Sequence, residues 1–347
     1  MTYLFEYLIF LAETVTIVVA LLVIISSLVS LGARQHAHAE HGYLQVTRIN
    51  HRLRNLRHAM EAALLPADAV KKQHKKEAKA ESKAESKAQK KARTDVGSQA
   101  EQKRVWVIRF EGDLKASHVE NLRLEVSAVL TLANSDDEVV VCIESPGGMV
   151  HNYGLAASQL TRIRNQKIPL TAAVDRVAAS GGYLMAAVAD KVLAAPFALV
   201  GSIGVVAQVP NVHRLLKKND VDVEVITAGK YKRTLTVLGE NTDEGRKKFV
   251  EELEDVHELF QEFVADNRPE LDLAKAATGE AWYGKRALDI GLVDELATSD
   301  EYLMHLCEDH DVFDVKWVEH KKPIDKLLGK VNTLLDQAVS AMDILRR

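Results

Sequence analysis

Cysteine is scarce in this chain. The 347 residues contain only Cys142 and Cys307, so the sequence offers neither a disulfide framework nor the paired cysteines of a zinc site. Cys142 lies inside the apolar run VVVCIES and is predicted to behave as a buried small hydrophobe. The sequence therefore predicts no metal site, and nothing in it calls for a cofactor.

A strong excess of charge of one sign is also missing. The formal net charge is -4, whereas a domain dedicated to nucleic acid is strongly basic. This balance argues against nucleic acid as a partner. The length alone suits about two domains with a buried core.

Charged residues are absent from Thr14 to Leu31, a run of 18 residues. A helix of about 17–25 apolar residues crosses a bilayer core. A cleaved signal peptide begins with basic residues, but only Glu6 and Glu13 carry charge before this run. We predict an uncleaved single-pass membrane anchor within residues 1–35. A signal peptide cleaved near the AHA at 37–39 and a buried helix remain open alternatives.

Positive charge begins only after this run. The residues that carry it are Arg34, Arg48, Arg52, Arg54 and Arg57. Basic residues flanking a span stay on the cytoplasmic side. The charge pattern therefore favours the bulk of the chain in the cytoplasm.

Large aliphatic and aromatic side chains nearly disappear between residues 66 and 102, where the tandem KAESKAES occurs. Such a composition cannot bury a core and is typical of a charged spacer. We predict a flexible or helical linker over 36–103, with a short helix of basic and apolar residues at 44–65. The spacer is either a solvated tether or a segment lying on anionic lipid.

Globular character returns for residues 104–320. Apolar runs at 105–112, 138–145 and 168–175 predict strands, and helical periodicity marks 119–133 and 153–165. This alternation predicts an α/β fold of repeated β-β-α units. The apolar run 192–209 contains Pro196, Gly201 and Gly204, which favours buried strands and tight turns over a second span.

Two further segments have an amphipathic helical pattern. One covers 243–267, where apolar residues recur at helical spacing and His257 is predicted to face solvent. The other lies within the C-terminal residues 321–347. That C-terminal helix could pack on the domain, pair with another subunit or lie on the membrane.

Ser180 lies in a nest of small residues, DRVAASGGYLMAA. A serine at the start of a helix is often only a cap. Small neighbours, however, would let a substrate approach its hydroxyl, and the N–H of Gly181 would point into the same space. A serine nucleophile needs a second main-chain donor for the oxyanion. The turn ESPGG offers Gly148 or, with less support, Gly147.

A base for Ser180 is harder to find. No histidine has an obvious orienting carboxylate, although a Ser-His-Asp triad stays open because its members need not be adjacent in sequence. The segment VEVITAGKYKRTLT predicts a strand that ends at Ala228, followed by basic residues. A lysine there could act as base if burial lowered its pKa by about 3 units. The alternative is a basic surface patch.

These segments together resemble the signal peptide peptidase A family of serine proteases, and most closely its branch of bacterial inner-membrane peptidases. The likeness runs from about Val105 to Leu296. It is carried by ESPGG, AASGGY, GSIGV, AGKYK and WYGKRALDIGLVDEL, in that order.

The resemblance implies a fold of the Clp protease/crotonase type and a Ser-Lys dyad. It makes Ser180 the nucleophile and Lys232, rather than Lys230, the general base. The residues it implies around them are Ser202 as the group that orients the lysine, Gly148 and Gly181 as the oxyanion hole, and Asp294 as structural.

The implied function is a membrane-anchored serine endopeptidase that cleaves apolar peptides such as signal-peptide remnants or membrane-protein segments. Homo-oligomers are expected, because relatives form rings. The family also implies a periplasmic catalytic domain, which conflicts with the arginine pattern, so the side of the membrane stays open. A crotonase-like acyl-CoA enzyme and an inactive membrane scaffold are the alternatives.

Overall fold

A computed structural model describes residues 42–66, 68, 70 and 103–319. The predicted anchor at 1–35, the spacer between 71 and 102 and the C-terminal helix at 321–347 lie outside the described residues. Among the helices that are described, none combines the length and the apolar character needed to cross a membrane.

The described residues form a mixed α/β fold with ten strands. Seven of them make the main sheet, in the order β1-β10-β2-β3-β4-β6-β9, and three make a small sheet, in the order β5-β7-β8. The strands are β1 Gly42–Arg48, β2 Arg104–Glu111, β3 Glu138–Glu144, β4 Leu170–Val174, β5 Val177–Ala179, β6 Lys191–Ala194, β7 Leu199–Gly201, β8 Ala281–Tyr283, β9 Glu295–Leu296 and β10 Asp311–Glu319.

Nine helices connect these strands within the described ranges. They are α1 Ile49–Leu64, α2 Val119–Leu130, α3 Val150–Asn165, α4 Gly181–Ala186, α5 His213–Lys218, α6 Asp243–Asn267, α7 Leu273–Ala276, α8 Gly284–Asp289 and α9 Ser299–Asp309.

Parallel pairing explains why the central strands are apolar along their whole length. Strand β3 pairs in parallel with β2 and β4, and β4 pairs in parallel with β6. Such strands have both faces covered by helices and loops and need apolar residues at consecutive positions. Val139, Val140 and Val141 are accordingly all fully buried.

The small sheet brings the Ser180 region beside the end of β3. Strands β5 and β7 pair in parallel, and β7 pairs antiparallel with β8. An isolated bridge joins Ser145, just after β3, to Ala178 in β5. The two sequence motifs that surround Ser145 and Ser180 are therefore held together by main-chain hydrogen bonds.

Residues 44–317 form one compact unit. Asp294 joins distant segments of this unit, because Arg268 donates two hydrogen bonds of 2.7 Å to its carboxylate and the N–H of Val192 donates another. Although burial opposes ionisation, the hydrogen bonds from Arg268 keep the pKa of Asp294 below its ordinary value. A second unit, residues 1–43 and 318–347, has only the outer ends of two strands among the described residues.

Most predicted elements occur within a few residues of their expected bounds, and α6 spans 243–267 as predicted. Two predictions differ. Residues 42–48 form strand β1 of the main sheet, ahead of helix α1, inside the range expected to be linker. The strand expected to end at Ala228 is wrong, because residues 221–227 have no regular secondary structure and most are exposed.

Candidate active site

Ser180 occupies the turn between β5 and α4. Its backbone has φ 51° and ψ -120°, a conformation that is strained for a residue with a Cβ. The surroundings impose it, because the Ser180 N–H donates to the Gly201 carbonyl at 2.8 Å and the preceding Ala179 N–H donates to Ser145. The hydroxyl makes no capping hydrogen bond to the helix, so capping does not explain this serine.

The turn after β3 is fixed by its own serine. Ser145 is fully buried, its Oγ lies 2.6 Å from the Tyr153 hydroxyl, and the Gly147 N–H donates to the same Oγ at 3.1 Å. That internal bond occupies the Gly147 donor. No acceptor among the described residues is assigned to the Gly148 N–H. Gly148 is therefore the better candidate of the two for an oxyanion donor.

The two glycine motifs touch each other. A Cβ placed on Gly147, which has φ +88°, would lie 2.7 Å from the Gly181 nitrogen and from Ser180 Cβ. A Cβ on Gly148 would lie 2.2 Å from the Leu114 oxygen, and one on Gly181 would lie 2.3 Å from the Tyr153 ring. The close approach of these chains accounts for the glycines at all three positions.

A cavity of about 290 Å³ opens beside Ser180, Gly181 and Gly148. Its remaining walls come from α3, α4 and α6 and from the chain after β7, and they are largely apolar. They are formed by Val150, Tyr153, Gly154, Ser158, Leu184, Gly204, Val205, Val256, Leu259, Phe260 and Phe263. Such a cavity suits one apolar side chain of a bound peptide placed next to the hydroxyl.

Ser202 follows the small sheet in a second left-handed conformation, with φ 52°. Its N–H donates to the Glu280 carbonyl at 2.7 Å, and its Oγ donates to the Gly279 carbonyl at 3.3 Å. The expected hydrogen bond from Ser202 to Lys232 is not among the contacts of the described residues.

Lys232 lies on an exposed turn, where its N–H donates to the Gly229 carbonyl at 3.2 Å. It is not among the described residues that line the Ser180 cavity. Lys230 instead pairs with Glu244 at 2.7 Å and lies over the Tyr231 ring. The hydrogen bond to Glu244 raises the pKa of Lys230 above its ordinary value, which makes this lysine a poor base.

The structure thus brings Ser180, Gly148 and Gly181 together, whereas Lys232 is exposed and is not among the described residues that line their cavity. It also adds a wall that the sequence analysis did not assign to the site, the apolar face of α6. The signal for this wall in the sequence was the helical spacing of the apolar residues within 243–267. Only Val264 of this 25-residue helix is fully buried, whereas Phe260 and Phe263 pack partly on the core and also line the cavity.

The described residues contain no group of three or more His, Cys, Asp or Glu side chains that could hold a metal ion. The groups at the cavity are the Ser180 hydroxyl, the main-chain N–H groups of Gly148 and Gly181, and largely apolar walls in which the hydroxyls of Tyr153 and Ser158 already have hydrogen-bond partners.

A partly buried serine on a strained strand-to-helix turn, next to main-chain donors, is typical of hydrolases that use a serine nucleophile. The sequence comparisons specify the class. The chain belongs to peptidase family S49, because residues 2–160 match the family's N-terminal region and residues 162–312 match the peptidase region itself. The resemblance found in the sequence is confirmed.

Two curated relatives illustrate this membership. Probable protease SohB of Haemophilus influenzae is 47% identical over 342 residues, which cover 98% of this chain and 95% of the relative. A putative signal peptide peptidase SppA of Enterococcus faecium is 29% identical over 53% of this chain and 54% of its own length.

Among solved structures, a variant of the 1510-N membrane-bound stomatin-specific protease in complex with a substrate peptide is similar. It has a TM-score of 0.40 and 13% identity, and the match covers 67% of this chain and 98% of that one.

Proposed function

We propose that this chain is a membrane-anchored serine endopeptidase that cleaves peptides through an acyl-enzyme on Ser180. Membership of family S49 supports a peptidase. The observation that carries the choice of nucleophile is the strained Ser180, whose hydroxyl caps no helix and faces an apolar cavity beside Gly148 and Gly181. We further propose that the α/β fold is of the Clp protease/crotonase type.

The reaction begins when Ser180 Oγ attacks the peptide carbonyl carbon and Lys232 Nζ, as the free amine, takes the hydroxyl proton. The N–H groups of Gly148 and Gly181 donate to the oxyanion. Each such donor is worth about 2.7–4 kcal/mol in the transition state. Collapse breaks the C–N bond, and Lys232 returns the proton to the leaving amine. A water molecule, deprotonated by Lys232, then releases the acid and restores Ser180.

This role requires Lys232 to leave solvent and reach Ser180, with Ser202 as the residue that orients it. We propose that assembly into a homo-oligomer covers the segment that carries this lysine. Support comes from the apolar side chains exposed on that segment, which include Val206 at 92% and Ile226 at 89% exposure. Exposed apolar surface of this kind marks interaction sites.

The proposed substrates are apolar peptide segments, such as signal-peptide remnants or pieces of membrane proteins. The apolar cavity beside Ser180 supports this class, since it would bury one apolar side chain of the peptide. We propose an inner-membrane location, with the anchor at residues 1–35, and leave open the side of the membrane on which the catalytic domain lies.

Activity-based labelling tests the nucleophile directly. The full chain in detergent micelles is treated with a fluorophosphonate probe and the modified peptide is mapped. We expect the label on Ser180. A folded sample that takes no label would favour an inactive scaffold, and hydrolysis of an acyl-CoA thioester that survives Ser180→Ala would favour a crotonase-like enzyme.

A further inference from the structure

Helix α1, residues Ile49–Leu64, is packed at one end only. Ile49 is its single buried residue, and it lies in a core cluster against which Leu53 also packs. Asn50 fastens the same end, because its side chain donates to the His310 carbonyl at 2.8 Å and accepts from the Val312 N–H at 2.9 Å. The first turn of α1 is therefore part of the domain.

The apolar stripe of α1 continues where the packing stops. Residues 49, 53, 56, 60 and 64 fall on one helix face at 3.6 residues per turn. Leu56 is 59% exposed, Met60 62% and Leu64 73%. The exposed part of the stripe is about 12 Å long, at 1.5 Å per residue. Nothing in the core of the domain requires these three side chains to be apolar.

Basic residues border the exposed stripe. Arg52 lies along one edge of the stripe and Arg57 along the other. The helix as a whole has three arginines, two histidines and a single acidic residue, Glu61. Arg57 also pairs with Glu61 and keeps 64% of its side chain exposed. This local positive charge contrasts with the net charge of -4 for the chain.

The chain before α1 limits how far the helix can be from a bilayer. If residues 14–31 span the membrane, as proposed above, residues 32–48 bridge the gap to Ile49. A fully extended chain of that length reaches at most about 60 Å, and strand β1 uses part of it. An apolar stripe bordered by arginines, held this close to a membrane, has the properties of an interfacial helix.

We propose that the exposed stripe of α1 docks on the anionic lipid surface next to the anchor. Leu56, Met60 and Leu64 enter the boundary between headgroups and acyl chains, and Arg52 and Arg57 contact the lipid phosphates. Because its first turn is fastened to the domain, α1 sets the orientation of the peptidase domain on the membrane. The proposal rests on the proposed anchor but not on the proposed chemistry.

Two other occupants fit the charges and the area less well. The C-terminal segment 321–347 carries Lys321, Lys322, Lys326 and Lys330, so its first half would be repelled by the arginines of α1. A second copy of the chain would need an interface of roughly 800 Å² per partner. A stripe of three side chains is too small to supply it.

The test places an environment-sensitive fluorophore on the stripe of the full chain in lipid nanodiscs. Met60→Cys carries the label, and Ala62→Cys, which is exposed on the opposite face of the same helix, is the matched control. Cys142 and Cys307 are replaced by alanine. Nanodiscs contain phosphatidylcholine alone or with about one third phosphatidylglycerol, and quenching is measured with aqueous iodide and with a lipid-borne nitroxide.

In discs with phosphatidylglycerol, we expect iodide quenching at position 60 to be at least about threefold weaker than at position 62 and nitroxide quenching to be stronger. Phosphatidylcholine alone, or the double change Arg52→Gln and Arg57→Gln, should reduce that difference. A blue-shifted emission at position 60 provides a second measure. Ser180→Ala should leave all of these readings unchanged, which separates this test from that of the peptidase.

Three outcomes would overturn the proposal. Equal iodide quenching at positions 60 and 62 in the anionic discs would show that the stripe does not enter the bilayer. Shielding of position 60 that is the same in detergent and in both lipids would assign the stripe to another segment of this chain. Shielding that appears only when a disc holds more than one copy would assign it to a second subunit.

Discussion

Residues 168–203 and residues 204–238 follow each other in the chain and differ sharply in packing. The first region carries Ser180 and consists mainly of buried residues, whereas no residue of the second region, which carries Lys232, is buried. The first contains four strands. The second contains one short helix, α5. The proposed nucleophile and the proposed base therefore lie in parts of the chain with very different local packing.

This contrast shows that the part of the proposed site around Ser180 is preorganised, whereas the part around Lys232 is not. Ser180 is held in a strained conformation by hydrogen bonds from both sides, and close packing of the glycine turns orients the proposed oxyanion donors. A preorganised oxyanion site costs no rearrangement at the moment of reaction. Lys232 has no comparable support in the described residues, so its proposed role as base requires a change in the surroundings of its segment.

The largest effect is expected in the packed region 168–203, which carries Ser180. Ser180→Ala should lower kcat by roughly 10⁶-fold, the scale seen when a serine peptidase loses its nucleophile, because the hydroxyl proposed to attack the peptide is removed. Peptide hydrolysis by the full chain measures this loss. The thermal midpoint should stay unchanged, because Ser180 makes no capping bond. Activity near the wild-type level would remove Ser180 from the mechanism.

An effect about a hundredfold smaller is expected in the exposed region 204–238, which carries Lys232. Lys232→Ala should lower kcat by about 10⁴-fold, the upper range for loss of a general base, and should prevent fluorophosphonate labelling. Lys230→Ala is the matched control and should remain active, because Lys230 is engaged by Glu244. Full activity of Lys232→Ala would end the dyad and leave the exposed segment without a catalytic role.

The packing of the glycine turns is tested by Gly147→Ala. The added Cβ would press on the Gly181 nitrogen, and the alanine would have to keep the positive φ of +88°. We therefore expect a loss of about 10²–10³-fold in kcat, because the N–H of Gly181, a proposed oxyanion donor, would shift. Stability should fall by about 1–2 kcal/mol. Gly154→Ala is the stability control, since its Cβ meets nothing within 4 Å, and it should not unfold more easily than wild type.

Two ion pairs compare the packed part of the domain, where Asp294 accepts from the Val192 N–H of the first region, with the exposed segment 204–238. Arg268→Ala should lower the free energy of unfolding by about 3 kcal/mol, because it strips a largely buried guanidinium from Asp294 and from the Gly291 carbonyl. Lys217→Ala removes an exposed pair with Asp222 on the segment 204–238, and we expect no measurable change. Equal effects in chemical denaturation would contradict the contrast between the regions.

A pH dependence of stability is also expected to originate in the well-packed part of the domain. Glu125 is buried on α2 and accepts a hydrogen bond from the Trp317 N–H. Burial raises the pKa of Glu125 from 4.5 to about 7, so the folded protein binds more protons than the unfolded chain between these values. The free energy of unfolding should fall by up to about 3 kcal/mol as pH rises through this window.

Glu125→Gln isolates that contribution. Unfolding curves at pH 4.5 and pH 7 should differ less for the variant than for wild type, since glutamine does not titrate and can still accept from Trp317. A wild-type difference that persists in the variant would assign the pH dependence to other groups.

Regular elements with a strong local pattern could be predicted from the sequence. The alternation of apolar runs and helical repeats located β2, β3, β4 and α3, and α6 lies at its predicted bounds with Thr242 accepting the Gly245 N–H as its cap. These elements depend on periodicity, which is a property of neighbouring residues. Ser180 and its glycines were also found, because small residues cluster visibly in the chain.

Tertiary structure alone decided the features that depend on distant partners. Strand β1 joins the sheet beside β10, whose residues are more than 260 positions away, and no local pattern reveals that pairing. The VEVIT segment has strand-forming residues but no strand to pair with in the described structure. A strand is stable only when its N–H and C=O groups are paired, so composition could not decide its conformation.

The sequence by itself thus determined the secondary structure around the proposed nucleophile and the residue types that the chemistry uses. Only the tertiary structure decided that Gly147 packs on Gly181, that α6 walls the cavity and that Lys232 stays in solvent. The physical reason is that burial and hydrogen bonding between distant segments, rather than local preference, place these groups.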